Sequence, residues 1–375
     1  GDADPAVGEA AADALAKTGP PKPAEAPTFQ LLCLKGSPEA ARRFGLDGFR
    51  RLRTAAADYA PYLEDSVADD PSPALRRMAV EALAAVAPAS RDSAEAFSKA
   101  TADPDPEVRR AAAAALARVG LQNGSLHALI RALGADDDAV GKAAEAALKD
   151  ERLTPDQVGR LGDALRTGNR ALRLRVMGLL KALGPDAAPA VPGLCAVAEG
   201  AKGEVRARAF AVLATMGPAA RDAGDTLEVL LNDDKFAVRL DAATTLAAIE
   251  GPAAEDAVPV LIEALQVQDP DDAGQAAERD RATAALGRIG EPAIKPLADA
   301  MEHDYAGGGL GTLKGRINEG ARLAAVKALG AMGGTANTSR ALAALSKALH
   351  NDPSPAVRDA AKEAWAAVKK KGGEK

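Results

Sequence analysis

The sequence predicts an all-α protein, a right-handed α-solenoid (superhelix) of about eleven copies of a two-helix unit. Three observations lead to this prediction: apolar residues recur at helical spacing, one pattern returns throughout the chain, and large aromatic side chains are scarce. Among 375 residues there are one Trp, three Tyr and six Phe. Since a single deep core would need large side chains, this composition favours stacked units that each contact only their neighbours.

The stretch DPDPEVRRAAAAALARVG, residues 103–120, shows the repeated pattern most clearly. Counting from Val108 as the anchor, arginine follows at +1, alanine at +4, leucine at +8 and glycine at +12. The pattern can be placed, with variations, on ten other anchors: Val7, Ala41, Leu75, Val140, Leu172, Val205, Val238, Glu278, Ala321 and Val357. Successive anchors lie 32 to 43 residues apart, which is the signature of a repeat protein.

Each anchored helix, here called helix B, follows a second apolar helix, here called helix A, as in SLHALIRAL at 125–133. Gly-Pro pairs at 184–185, 217–218 and 251–252 separate a helix B from the next helix A, because glycine ends a helix and proline cannot continue it. Alanine at +4 and +7 allows close helix packing, and the leucine at +8 supplies about 1.5–3 kcal/mol of burial per copy.

The run D-P-x-P-x-V-R at 103–109 and 352–358, followed by the spaced alanines and leucine, resembles the HEAT repeat in its short bacterial form, similar to phycobilin-lyase repeats. The resemblance covers essentially the whole chain. It implies a curved superhelix with A helices on the convex side and B helices on the concave side. It also implies a structural ladder in which +1 arginines pair with turn aspartates. The ladder residues are Arg42, Arg76, Arg109, Arg173, Arg206, Arg239, Arg279, Arg322 and Arg358, with Asp70, Asp103, Asp233 and Asp352.

The expected domain is one solenoid over residues 1–375. It comprises a partial first repeat at 1–19 with helix B alone, ten further repeats over 20–368, and a disordered tail at 369–375. Because the first unit has no helix A, we expect the chain to be a fragment of a longer protein. A solenoid normally ends in a polar capping element.

Two unit spacings are long because inserts at 266–280 and 303–320 lie between helix A and helix B. Insertions in solenoids often lie on the binding face. The second insert is rich in glycine but lacks the phosphate-loop pattern and follows a helix, so we expect a loop that a partner orders. Its candidate partner-binding residues are Tyr305, Leu310, Lys314 and Arg316.

No motif for catalysis, cofactor binding or metal binding occurs in the sequence. The three histidines fall in three different units without a second histidine at helical spacing, and both cysteines lie in apolar helical stretches. We therefore expect no catalytic residue, no cofactor, no metal and no small-molecule substrate. No apolar run approaches the roughly 18 residues of a transmembrane helix, and the cytoplasm and the periplasm both stay open as compartments.

On helix B, positions +2, +6 and +9 are expected to face the concave groove. Position +2 carries a cation in four successive units, at Arg43, Arg77, Arg110 and Lys142. One interpretation is a groove for an acidic partner segment. The other is ordinary surface charge, with Arg43 and Arg77 each paired to an acid four residues later, while Arg110 and Lys142 lack that partner.

The sequence favours a non-catalytic protein–protein interaction scaffold that uses the concave face and the inserts between helices A and B. An architectural scaffold segment of a coat- or envelope-associated multidomain protein is the alternative. Nucleic-acid binding through the +2 cations is less favoured, because the net charge is -6. A pigment lyase follows from the family resemblance alone.

Overall fold

The computed structural model describes residues 20–87, 90–119, 125–149, 151–265, 273–305 and 319–370. These ranges contain twenty α-helices and no strand. The helices form ten consecutive pairs, in which odd-numbered helices are A helices and even-numbered helices are B helices. The predicted all-α solenoid is confirmed.

The first compact unit extends from Gly1 to Ala182. In it the B helices α2, α4, α6 and α8 pack in sequence on one another, and the A helices from α3 to α9 form a second row. Its helices are α1 (Ala26–Leu32), α2 (Glu39–Leu52), α3 (Ala60–Asp69), α4 (Pro73–Val86), α5 (Arg91–Ala100), α6 (Pro106–Val119), α7 (Leu126–Leu133), α8 (Asp138–Lys149), α9 (Pro155–Thr167) and α10 (Arg170–Leu183).

The second compact unit extends from Leu183 to Lys375. Its B helices pack in one row from α12 to α20, and each contacts the A helix of its own pair. Its helices are α11 (Val191–Gly200), α12 (Gly203–Met216), α13 (Gly224–Leu230), α14 (Phe236–Glu250), α15 (Val258–Leu265), α16 (Ala273–Ile289), α17 (Glu291–Tyr305), α18 (Glu319–Met332), α19 (Ser339–Asn351) and α20 (Pro355–Lys370).

The repeated apolar positions form the core of both units. In all ten described B helices the +4 residue is buried, and it is alanine in eight of them. The +8 residue is buried in nine, from Phe49 to Leu329, while Trp365 in the last helix is half-buried. Because +4 and +8 lie one helical turn apart, they form a continuous stripe that packs against helix A and the neighbouring B helices.

Glycine ends five of the ten described B helices, as the sequence predicts. Gly184, Gly217, Gly251 and Gly333 have φ of 55–58° and each opens a short 3₁₀ segment that leads toward the next helix A. A side chain is strained in that conformation, whereas glycine adopts it freely.

Helix formation extends further than expected at three places. Residues 273–280, expected in the first insert, belong to α16, since AGQAAERD is rich in residues that favour helices. Helix α17 continues to Tyr305, and α20 continues to Lys370 rather than ending before residue 369. In α20 the ammonium of Lys369 lies 4.8 Å from the ring of Trp365, a contact that holds the last turn.

The insert residues 266–272 and 306–318, with Leu310, Lys314 and Arg316, lie outside the described residues, as does the partial repeat at 1–19.

Candidate functional site

The +1 arginines of the first unit join neighbouring repeats through ion pairs. Arg42 pairs with Asp70 at 2.9 Å and Arg76 with Asp103 at 2.7 Å, in each case with a second hydrogen bond to the other carboxylate oxygen. Each aspartate belongs to the turn of the next repeat. Such two-point contacts fix orientation as well as charge, so these pairs hold one repeat in register with the next.

Each ladder aspartate also organises its own turn. One carboxylate oxygen of Asp103 accepts from the backbone amide of Asp105 at 2.8 Å, while Arg109 donates to the carbonyl of Asp103 at 2.9 Å. Burial raises the pKa of Asp103, but the hydrogen bonds from Arg76 and from the Asp105 amide outweigh burial and leave the pKa below its ordinary value. The carboxylate is therefore held in its ionised form.

Arg109 pairs with Asp137 at 2.9 Å, a partner that the sequence pattern did not indicate because Asp137 lies three residues before its anchor rather than five. The hydrogen bond from Arg109 lowers the pKa of Asp137.

The second unit contains the same kind of contact with more variation. Arg322 pairs with Asp352 at 2.7 Å, Arg206 lies 3.8 Å from Asp233, and Arg239 pairs instead with Glu263 at 2.9 Å. Two of the remaining ladder arginines contact backbone carbonyls in place of an aspartate. Arg173 donates to the carbonyls of residues 165 and 166, Arg358 donates to those of residues 352 and 353, and Arg279 is buried.

Three of the four +2 cations pair with acids on their own helix. Arg77 contacts Glu81 at 2.6 Å, as expected. Arg110 contacts Glu107 at 2.5 Å and Lys142 contacts Asp138 at 2.7 Å, so the expectation that these two lack an acidic partner is wrong. Their acids precede them by three and four residues, a direction that the sequence argument had not considered.

Arg43 does not pair with Asp47, because that carboxylate contacts Arg50 at 2.7 Å and Arg51 at 3.9 Å. Asp47 therefore neutralises part of the charge at the end of α2 rather than the charge at its start.

A groove of about 690 Å³ lies across the carboxyl-terminal halves of α2, α4 and α6, and we call it the B-helix groove. None of the four +2 cations lines it. Its cations are Arg50, Arg51, Arg53 and Arg118. Small residues form most of the rest of its wall, namely Ala84, Ala85, Ala111, Ala114 and Ala115.

The repeat geometry explains why these arginines converge. Helices α2, α4 and α6 run in the same direction, so their last turns lie side by side, and the basic residues at +9 and +10 of α2 and at +10 of α6 line the same groove. The negative end of each helix dipole favours cations at this position. The hydrogen bond to Asp47 raises the pKa of Arg50, whereas Arg53 and Arg118 have no ion pair within the part of the chain that the structure describes.

Arg53 has the backbone conformation of the helix-ending glycines. Its φ is 55° and its ψ is -142°, close to the φ of 57° and ψ of -136° at Gly217. It is the only residue other than glycine with positive φ in the described ranges. An arginine there costs on the order of 1–3 kcal/mol, so a strained and exposed cation borders the groove.

Sequence reasoning missed these four groove arginines because it followed the most regular position, +2. The signal that could have found them is Arg53 itself, which stands at +12 where Gly184, Gly217, Gly290 and Gly333 end their helices. A large charged residue at a glycine position marks the place where the repeat pattern is broken.

Other chemistry-bearing side chains are dispersed. His127 and His350 are exposed on α7 and α19, and His303 lies in α17, where its side chain is outside the described set. Cys33 and Cys195 form no disulfide within the described ranges, and burial together with the charge of Asp70 raises the pKa of Cys33 to about 12, partly offset by Arg42. Within the described ranges no group of three metal-ligating side chains could hold a metal ion. No described helix has the length and apolar character that crossing a bilayer requires.

Comparisons with known proteins identify the same kind of repeat in the chain. The family model described as HEAT repeats matches residues 60–149 and 191–280, and the model described as the PBS lyase HEAT-like repeat matches residues 321–351. No curated protein matches the sequence significantly.

Among solved structures, an engineered protein is similar at 19% identity and a TM-score of 0.45, over 92% of this chain and 99% of that one. Kap95p in a structure with RanGDP is 13% identical with a TM-score of 0.42, over 92% of this chain and 51% of that one. Importin beta is 14% identical with a TM-score of 0.38, over 92% and 52%. This chain thus spans about half the length of the latter two.

The matched models together cover more than half of the chain. All ten described helix pairs have a buried +4 residue, nine have a buried +8 residue, and five +1 arginines contact an aspartate of the next repeat. The chain belongs to the HEAT-repeat family.

Proposed function

We propose that this HEAT-repeat chain is a non-catalytic scaffold that binds a protein partner on the exposed face of its B helices. The observation that supports the proposal is the B-helix groove, which joins three successive repeats into one concave surface. Exposed cations border it and alanines form its floor, so a partner's backbone can approach the helices closely.

Other charged positions on the protein are less suited to binding a partner than the B-helix groove is. The +2 cations Arg77, Arg110 and Lys142 are neutralised on their own helices, so they contribute little net attraction. The ladder arginines hold repeats together. The second insert remains a second proposed contact region, with Tyr305, Leu310, Lys314 and Arg316 as its candidate residues.

The experiment is capture of partners from a lysate of the source organism with three immobilised forms of the chain. The test variant is Ala114→Trp, which puts a large ring into the groove at an exposed helical position. The matched control is His127→Trp, which puts the same ring on the exposed side of an A helix. Circular dichroism establishes that both variants keep the helical fold.

We expect the protein captured by the wild type to be lost with Ala114→Trp and kept with His127→Trp. If every captured protein is retained by Ala114→Trp at wild-type yield, the groove is not the binding surface and the proposal fails. Deleting residues 306–316 tests the second contact region in the same way.

A further inference from the structure

The cations of the B-helix groove are arranged in two groups. Arg50, Arg51 and Arg53 come from the end of α2, and Arg118 comes from the end of α6. Helix α4 lies between them and contributes Val80, Ala84 and Ala85 to the floor. The groove therefore has a positive group at each side and small apolar residues between.

We infer that this groove takes an extended, acidic segment of the partner protein, with carboxylates at both ends of the segment held by these arginines. The inference rests on the proposed function and adds the chemical class of the bound segment. Arginine suits this ligand because its planar guanidinium donates two parallel hydrogen bonds to one carboxylate.

The conformation of Arg53 is the independent observation that points to a ligand. Glycine ends the equivalent helices without strain, yet this position carries an arginine with φ of 55°. Its side chain is exposed and has no ion pair within the described residues, so no contact of the fold described here compensates for the strain. A residue held in an unfavourable conformation beside a groove is characteristic of a binding site.

The lining favours a peptide over a nucleic acid. No aromatic ring is among the described residues that line the groove, so bases have no side chain on which to stack. The one acidic residue in the lining, Glu81, is paired with Arg77. Carboxylates of a peptide meet the guanidinium groups of Arg53 and Arg118 there, while alanines accept its backbone and small side chains.

Helix spacing sets the length of the segment. Neighbouring packed helices lie about 8–10 Å apart, so α2 and α6 are separated by roughly 16–20 Å. An extended chain advances about 3.3 Å per residue, so the two acidic positions are expected about five or six residues apart.

The test uses fluorescence anisotropy with three labelled twelve-residue peptides. The first has two Glu-Glu pairs separated by five small residues, the second has all four glutamates adjacent, and the third has glutamine in place of glutamate in the spaced arrangement. The fourth probe is a short DNA duplex that carries the same fluorescent label. The proteins are the full chain, Arg53→Gly, Arg118→Ala and the control Arg131→Ala, whose cation lies on A helix α7.

We expect the spaced acidic peptide to bind most tightly, and Arg53→Gly and Arg118→Ala each to weaken it about tenfold, while Arg131→Ala binds as the wild type does. Arg53→Gly is also expected to melt at or above the wild-type temperature, which separates loss of binding from loss of fold. Equal binding of the glutamine peptide, equal weakening by Arg131→Ala, or tighter binding of the DNA duplex would each overturn the inference.

The two proposals fail in different ways. If no acidic peptide binds but Ala114→Trp still loses a captured partner, the groove is a binding surface and the acidic class is wrong. If the peptides fail and Ala114→Trp also retains every partner, both proposals are wrong.

Discussion

Arg175 occupies the space that the repeating pattern reserves for an arginine at residue 141. Position 141 is the +1 position of its repeat, and it holds glycine. A Cβ atom built on Gly141 would lie 2.1 Å from Cζ of Arg175. The guanidinium that fills this place therefore comes from the next repeat, and glycine makes the room for it.

The substituted arginine reproduces part of the ladder geometry. Arg175 donates to the carbonyl of Leu133 at 2.5 Å and to that of Ala135 at 3.4 Å, and it pairs with Asp138 at 2.9 Å. Ala135 lies five residues before its anchor, as Asp70 does where Arg76 donates to the Asp70 carbonyl. The turn before α8 is thus stabilised by an arginine of the following repeat, whereas the turn before α4 is stabilised by an arginine of its own repeat.

The first prediction concerns this exchange. Gly141→Ala should lower the free energy of unfolding by about 1–2 kcal/mol, because Arg175 must move and leave the Leu133 carbonyl without its donor. In an Arg175→Ala background the same change should be neutral or stabilise by about 0.5–1 kcal/mol, since alanine is the better helix former. Urea unfolding of the four proteins measures both values. A cost for Gly141→Ala that is equal in the two backgrounds would show that the residues are not coupled.

The second prediction concerns the pair formed by Arg76 and Asp103, whose side chains are 13% and 8% exposed. Arg76→Met should destabilise by about 3 kcal/mol, because it leaves a mostly buried carboxylate without its partner. The exposed pair of Lys35 and Asp69 provides the control, and Lys35→Ala should change unfolding little. Equal effects of the two changes in chemical unfolding would contradict the assignment of Arg76 to the ladder.

The lowered pKa of Asp103 predicts that the stability of the protein depends on pH. Its pKa lies below the ordinary value of 3.8, so the folded state binds this proton less readily than the unfolded chain. The stabilisation is complete above the ordinary pKa and is lost as pH falls through the lower pKa of the folded state. The stability difference between wild type and Asp103→Asn should therefore shrink when unfolding is measured from pH 6 down to pH 2. If the stability difference instead grows as pH falls, the pKa of Asp103 in the folded state is raised and not lowered.

The third prediction concerns Arg53 in the absence of any partner. Arg53→Gly should raise the free energy of unfolding by about 1 kcal/mol, because relief of a strain of about 1–3 kcal/mol exceeds the entropy that glycine adds to the unfolded chain. Arg53→Ala removes the same charge but keeps most of the strain, so it is the matched control. Thermal unfolding of both variants measures the difference, and equal stability of the two would refute backbone strain at this position.

The fourth prediction concerns the thiol of Cys33. Its pKa of about 12 leaves almost no thiolate near neutral pH, and the thiolate is the form that reacts. In a Cys195→Ala variant, iodoacetamide at pH 8 should modify Cys33 about a thousandfold more slowly in the native protein than in urea. Mass spectrometry measures the rate. Rapid modification of Cys33 in the native protein would show that burial does not protect the thiol and does not raise its pKa.

The periodic part of the structure could be predicted from the sequence alone. An anchor with alanine at +4 and leucine at +8 determines which face of each B helix is buried, and neighbouring copies bury the same face. The four turn aspartates at -5 were predicted as ladder residues, and the structure places Asp70, Asp103, Asp233 and Asp352 beside the +1 arginine of the preceding repeat. Local pattern sufficed because each contact lies between adjacent, equivalent units.

Only the tertiary structure decided where the pattern breaks. Arg110 and Lys142 have acids on their own helices, Arg175 replaces an arginine that residue 141 lacks, and Arg53 and Arg118 line one groove from the two sides of α4. These outcomes depend on side-chain direction and on which helix ends lie side by side, and residue type at a repeat position does not encode either. The sequence by itself determined the repeating unit and its buried stripe, because burial recurs with the period of the chain. The position of the groove was decided by packing, because its arginines come from different repeats and from positions that the repeat does not share.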